Sequence, residues 1–240
     1  MRLLAGRNRR LSLGELTAQL GLPKGTVFGI LRTLQQLGFV EKDADSGKYQ
    51  LGAALLHLGS SYLDGNELRT RALSWADSLA GRSNEAVRLG TLHDFRVLVV
   101  HHVFRPDDSY QVLQVGALLP LHATAMGKTL LAANPYLLSE LGPEGLTAFT
   151  PRTMTDVRQL STSVKEVKRR GWAAEIGELV DGEGSLAAPI TDRREETVGT
   201  ISISGPLERL CDAEAPRSDL VQYVREAARS VSRELGAIPW

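Results

Sequence analysis

Cysteine is almost absent: Cys211 stands alone among 240 residues. No intrachain disulfide can form, and nothing points to an oxidising compartment. The chain also lacks an apolar run as long as a membrane span or a signal peptide. It is therefore expected in the cytoplasm, with no membrane partner. Neither sign of charge is in excess, since 28 Lys and Arg offset 28 Asp and Glu. Internal repeats, low-complexity tracts and metal-ligand spacings are missing as well. No HxxxH, HExxH or paired-Cys pattern occurs, and the adjacent His101 and His102 would point to opposite faces of a strand. Phosphate-loop and dinucleotide glycine patterns do not occur either. Cys211 is expected to be inert packing, not half of a Cys–His nucleophile. These absences argue against an enzyme and imply no cofactor and no metal.

The zero balance hides an asymmetry. Between Met1 and His57 the cations Arg2, Arg7, Arg9, Arg10, Lys24, Arg32, Lys42 and Lys48 face the anions Glu15, Glu41, Asp43 and Asp45, eight against four. The head therefore carries +4 and the remainder −4. A basic head on an acidic body is the pattern of a nucleic-acid reader with a second task. At 240 residues the chain suits one large or two modest domains.

The head reads as a winged helix-turn-helix. Ser12-Leu13-Gly14-Glu15 has the form of a capping box: the Ser12 hydroxyl accepts from the N–H of residue 15, and the Glu15 carboxylate accepts from the N–H of Ser12. Leu16 and Leu20 give the short helix an apolar face, and Gly21-Leu22-Pro23 stops it. A second helix is expected over residues 24–37, with Val27, Ile30, Leu31, Leu34 and Leu37 as one buried stripe. Its opposite face presents Gly25, Thr26, Phe28, Gly29, Arg32, Thr33 and Gln36. Phe39-Val40-Glu41-Lys42, a turn rich in Asp, Ser and Gly, and Tyr49-Gln50-Leu51 read as strand, turn, strand, which adds the wing. Such a head binds double-stranded DNA by placing its second helix in the major groove. The candidate DNA contacts are Ser12, Lys24, Thr26, Phe28, Gly29, Arg32 and Thr33, with Lys42 and Lys48 reaching phosphates beside the wing tip.

Leu22-Pro23-Lys24-Gly25-Thr26-Val27, Leu31-Arg32-Thr33-Leu34, Gly38-Phe39-Val40 and Tyr49-Gln50-Leu51-Gly52 resemble the IclR family of bacterial regulators. So do Pro120-Leu121-His122-Ala123-Thr124-Ala125-Met126-Gly127-Lys128, Gly184-Ser185-Leu186-Ala187-Ala188-Pro189-Ile190 and Ile201-Ser202-Ile203-Ser204-Gly205-Pro206. The resemblance spans essentially the whole chain. It implies a GAF-like effector-binding domain behind the head, a linker helix that contributes to dimerisation, and a one-component regulator working as a homodimer or tetramer. Residues 29–35 and 101–109 resemble the members of that family that govern glycerol operons. This implies a repressor of glycerol uptake and phosphorylation genes, released by glycerol or glycerol 3-phosphate. The alternatives are an IclR-type regulator of another pathway, such as aromatic-acid or sugar catabolism, and a small hydrolase or ligand carrier with an incidental winged helix.

Two features depart from the family. Only Met1 to Gly6 precede Arg7-Asn8-Arg9-Arg10, so the helix that opens the family's head is expected to be incomplete. Gly29 stands where many members carry a bulky polar residue. A mid-helix Gly costs about 1 kcal/mol relative to Ala, and its use would be a closer approach to DNA.

Domains are expected at residues 1–52 (winged helix-turn-helix), 53–65 (linker helix) and 66–240 (effector-binding domain). In the linker Leu55, Leu56, Leu58 and Leu63 make a mixed apolar face, which suits pairing between chains or packing on the chain's own body. Beyond it come an expected helix over 67–79, strands at 86–90, 97–100 and 112–115, and a hairpin of 186–190 with 198–203. Helices are expected at 125–133, 157–170 and 216–235, the last with Leu220, Val224, Ala228, Val231 and Leu235 as its stripe. Mostly antiparallel strands with grouped helices make the fold class α+β.

The turn from Thr124 to Lys128 enters a helix, so backbone N–H groups can face a ligand there. Ser202 and Ser204 alternate on a strand, which puts both hydroxyls on one side. The resemblance implies a small-molecule effector pocket formed by Leu119, Ala125, Met126, Gly127, Glu175, Ser185, Ser202 and Ser204. That set suits a small polyhydroxylated molecule. Glu175 would repel a phosphate, whereas Lys128 and the helix N-terminus would attract one, so these residues leave both effectors open.

Overall fold

Among the described residues, a core of seven buried side chains (Leu4, Leu11, Leu16, Val27, Leu31, Val40 and Tyr49) places the elements of the head. The computed structural model describes residues 1–6, 10–107, 109–142, 145–213 and 215–237, so Arg7, Asn8 and Arg9 of the basic run and Asp108 lie outside the described residues. The chain divides into two units, Met1–Asn66 and Glu67–Trp240.

In the first unit, residues 2–5 form a single turn that delivers Leu4 to the core. Helix α1 (Leu13–Leu20) starts on the complete capping box: Ser12 N–H donates to Glu15 Oε2 at 2.7 Å and Glu15 N–H donates to Ser12 Oγ at 3.2 Å. Gly21 closes it in the left-handed region at φ 63°. Leu16 is buried but Leu20, expected beside it, is exposed. Helix α2 (Lys24–Gln36) buries Val27 and Leu31, with Leu34 packed against them. The rest of the expected stripe is corrected, because Ile30 and Leu37 are 47% and 56% exposed. At 3.6 residues per turn these two sit roughly 70–90° around the helix from the Val27–Leu31–Leu34 line. A core of one layer covers only the narrower strip.

The wing is β1 (Val40–Lys42) paired antiparallel with β2 (Tyr49–Leu51), Glu41 opposite Gln50. Its loop is closed by Asp43, whose carboxylate accepts from the Ser46 N–H at 2.8 Å and the Ser46 hydroxyl at 2.5 Å. Helix α3 (Ala54–Asp64) follows and buries none of its residues.

The second unit opens with α4 (Glu67–Ser83) and is built on β3 (Ala86–His93), β4 (Arg96–Val103), β5 (Leu118–Pro120), β6 (Ala173–Ile176), β7 (Glu183–Thr191) and β8 (Thr197–Pro206). These form one sheet in the order β5-β4-β3-β8-β7-β6, with every pairing antiparallel. The β3–β4 turn runs through Asp94 and Phe95, both at positive φ, the geometry that matches strand twist in tight hairpins. Helices α5 (Ala125–Ala133) and α7 (Val157–Arg170) pack on one face. Helix α4 and α9 (Ser218–Glu234) pack on the other, where α9 buries Leu220, Val224, Ala228 and Val231.

The third strand is a correction. Residues 112–115 form no strand, and Val112 and Leu113 are largely exposed. The chain must first pass Gly116, at φ 85°, before Leu118 and Leu119 can pair with β4. Several short elements were not expected: α6 (Tyr136–Leu141), β6, α8 (Leu207–Leu210), β9 (Cys211–Asp212) and β10 (Ala215–Pro216).

Ile203 is fully buried on the α4/α9 face of β8. Ile203→Ala is expected to remove about 2–5 kcal/mol of stability, read as a lower urea midpoint at unchanged slope. A loss under about 1 kcal/mol would contradict this placement.

Candidate DNA-reading face and effector cavity

On α2 the residues turned away from the anchors are Lys24, Gly25, Thr26, Phe28, Gly29, Arg32, Thr33 and Gln36, and all are exposed. Thr33 is held to the helix, its hydroxyl donating to the Gly29 carbonyl at 3.3 Å. A Cβ built at Gly25 or Gly29 meets nothing within 4 Å, so the head's own packing requires glycine at neither place. Each glycine costs the helix about 1 kcal/mol relative to Ala, and no internal contact offsets it. Lys42 is exposed on β1, with its Nζ 5.7 Å from the Tyr49 ring centroid. Lys48 is half-buried at the other side of the loop, and Arg10 reaches Asp43 at 3.4 Å. The Ser12 hydroxyl is committed to capping α1.

In the second unit, register builds a different site. Directly opposed residues of antiparallel strands share a face. The pairings Arg88↔Ser202, Ser204↔Ser185 and Ser185↔Glu175 therefore bring these five side chains to the face that α5 covers. Together with Leu119, Met126 and Leu179 they line a cavity of about 30 Å³. Glu175 is fixed by three donors: the N–H groups of Glu178 and Leu179 reach Oε1 at 2.7 and 3.2 Å, and the Ser185 hydroxyl reaches Oε2 at 3.0 Å. Burial pushes its pKa up, against the opposite pull of those hydrogen bonds. Arg88 is desolvated too, which lowers its pKa, and its buried Nε has no hydrogen-bond partner. His102 lies opposite Arg88 on β4, with Nδ1 accepting from the Gln114 N–H at 3.2 Å. Burial, then the charges of Arg88 and His101, bring its pKa down to about 4.

Residues 60–233 match the family described as bacterial transcriptional regulator IclR, C-terminal, and residues 1–44 match the IclR helix-turn-helix domain. The chain belongs to the IclR family of bacterial transcriptional regulators. It is 54% identical over 237 residues to the glycerol operon regulatory protein of Streptomyces coelicolor, covering 99% of this chain and 93% of that one. The crystal structure of an IclR transcriptional regulator from Alicyclobacillus acidocaldarius matches with a TM-score of 0.81 at 28% identity, covering 96% and 93% of the two chains. An IclR homolog from Microbacterium hydrocarbonoxydans, crystallised with 4-hydroxybenzoate, matches with a TM-score of 0.79 at 25% identity, covering 96% and 94%. Similar proteins are thus named as transcriptional regulators, not enzymes.

Of the eight residues expected to form the IclR-type pocket, Leu119, Met126, Glu175, Ser185, Ser202 and Ser204 stand in the cavity wall. Ala125 and Gly127 do not line it, contrary to expectation. The Ala125 N–H donates to Ser185 Oγ at 3.4 Å and the Gly127 N–H to Thr124 Oγ1 at 3.0 Å, so these two first-turn donors are already engaged. Gly127 has a packing reason of its own, since a Cβ there would lie 2.2 Å from the Leu121 carbonyl oxygen. Lys128, expected to attract a phosphate, is not in the wall. It is buried, and its Nζ donates to Glu178 Oε1 at 2.5 Å and to the Ala174 carbonyl at 3.3 Å.

Arg88, Leu179 and Glu183 also line the cavity, and sequence reasoning missed them. For Arg88 a signal exists, one charged residue between Val87 and Leu89 in an apolar strand. For Leu179 there is none. Cys211 is buried, and burial pushes its thiol pKa up. Among the described residues no cluster of three His, Cys, Asp or Glu side chains could hold a metal ion, and no helix is long and apolar enough to cross a membrane.

Gly127→Ala is expected to cost about 1–3 kcal/mol through overpacking, seen as a lower melting temperature; unchanged melting would refute the Leu121 contact. The second expectation concerns pH. Folded His102 stays neutral down to about 4, whereas the unfolded residue titrates at its ordinary 6.5. The unfolded chain binds the extra proton between those values, so this residue's contribution to stability is lost as pH falls from about 6.5 to about 4. Denaturation curves of His102→Asn should lose that part of the slope, and an identical slope would show that His102 is not its source.

Proposed function

We propose that this protein is a one-component repressor of glycerol catabolism genes, released when glycerol or glycerol 3-phosphate enters the cavity beneath α5. The likeness to the glycerol operon regulator, over nearly the full length of both chains, is the observation that carries this reading. Residues 1–52 serve as the DNA-binding head, 53–65 as the linker and 66–240 as the effector-binding domain. Lys24, Thr26, Phe28, Gly29, Arg32 and Thr33 face the major groove, while Ser12, Lys42 and Lys48 lie along the phosphates. Glycine at 25 and 29 lets the α2 backbone come closer to the bases than any side chain there would.

One head at +4 holds DNA weakly, so two are needed for useful affinity. Leu56, Leu58 and Tyr62, all exposed on α3, support pairing of two copies through this helix. A regulator of this kind meets its operator in the cytoplasm.

Ligand pockets commonly hold roughly 300–1,000 Å³, far more than the cavity of about 30 Å³ described above. An effector must therefore open it. The segment over residues 177–182, with glycines at positive φ at both ends and Leu179 and Val180 in the wall, is the cover that has to shift to admit one. A ligand that binds only the opened form shifts the population toward it, and by linkage changes operator affinity.

Gel shifts on the gene's own upstream region, with and without each polyol, test the whole reading; salt-independent or absent DNA binding would refute it. Arg32→Ala is expected to lose about 1–3 kcal/mol of operator binding if Arg32 reads a base, with effector affinity unchanged. Loss of both activities would show that the two tasks are not divided as proposed.

A further inference from the structure

We propose that Arg88 is the anion-binding residue of the cavity, and that it selects a phosphorylated polyol over the free one. The inference rests on the reading that this cavity holds the effector, and it goes on to name the chemical class that the cavity takes.

Register puts the guanidinium there. Arg88 lies between Val87 and Leu89, both fully buried and turned to the α4/α9 face, and directly opposite Ser202 and His102 on its two neighbours. It therefore emerges among the serines, in the cavity wall. Its Nε is buried without a partner, and the same is true of Nε2 of His102, its partner on β4. A buried donor left unsatisfied is unfavourable, and more so when it carries charge.

The charges facing it do not relieve this. Glu183 is exposed, and Glu175 already accepts from Glu178, Leu179 and Ser185. Lys128, the other cation near the site, is engaged by Glu178. An oxyanion is thus the missing counterpart. The planar fork of a guanidinium matches two phosphate oxygens at once, and the Ser202 and Ser204 hydroxyls on the adjacent strand can donate to the others. The hydroxylated end of the ligand is left for Ser185 and Glu175. A free polyol would satisfy the Ser185 side and leave Arg88 as it is.

Isothermal titration of the full-length protein with glycerol 3-phosphate, glycerol and inorganic phosphate tests this. The expected result is at least tenfold tighter binding of glycerol 3-phosphate than of glycerol by the unaltered protein. Arg88→Gln should reduce that preference to less than twofold, and Arg88→Lys should lie between. The comparison in the unaltered protein stands even where a change at this strand position unfolds the domain. Glycerol binding as tightly as its phosphate, and weakened by Ser202→Val, overturns the role of Arg88 while leaving the cavity reading intact. So does a folded Arg88→Gln that keeps the preference. Binding of neither polyol overturns both readings.

Discussion

β3, β8, β7 and β6 lie side by side, and the cavity exists because each pairing holds particular residues opposite one another. Arg88, Ser202, Ser204, Ser185 and Glu175 come from four strands and share a face only in this register. A slip of one residue on any strand would send its polar groups beneath α4 and α9 and turn Val87, Leu186 or Ile203 toward the cavity. The two faces are chemically unlike, and that is what holds the register: the slipped form would bury a guanidinium or a carboxyl group among aliphatic side chains, at a cost of several kcal/mol.

Around that polar face each group serves a second purpose. Glu175 accepts from the backbone of Glu178 and Leu179 and so shapes the turn that covers the cavity. Thr150 and Thr153 hold the same turn from outside, donating to the Gly177 and Glu178 carbonyls at 2.6 Å each. Lys128 ties Glu178 to α5 through a buried ion pair. Such a pair adds little net stability once desolvation is counted, and its use here is to fix the turn's position. Of the polar face, Glu175 is thus bonded directly to the cover, whereas Ser185 bonds Glu175.

The head was legible almost residue by residue. Its capping box, the left-handed Gly21 and the wing hairpin follow from local rules that act over three or four positions. Ile30 and Leu37 were misread because periodicity shows which residues are apolar, not how wide a strip the remaining fold can cover. In the second unit the long helices α5 and α7 begin and end where their patterns do. β5 and β6, with three and four residues, are too short to show a period. The serines and Glu175 were legible through motif resemblance. Arg88 stands out locally as a lone charge in an apolar strand, but its place in the cavity depends on Ser202, a strand partner 114 positions away, and no local pattern records such a pairing.

Helix α3, which joins the two units, has eleven residues and buries none of them. Isolated helices shorter than about 12–15 residues are marginal in water. Its helicity must therefore come largely from whatever covers Leu56, Leu58 and Tyr62. The segment's own length thus contributes little to its helicity. A second copy in that place, as proposed above, would make the helix firmer as the protein's concentration rises.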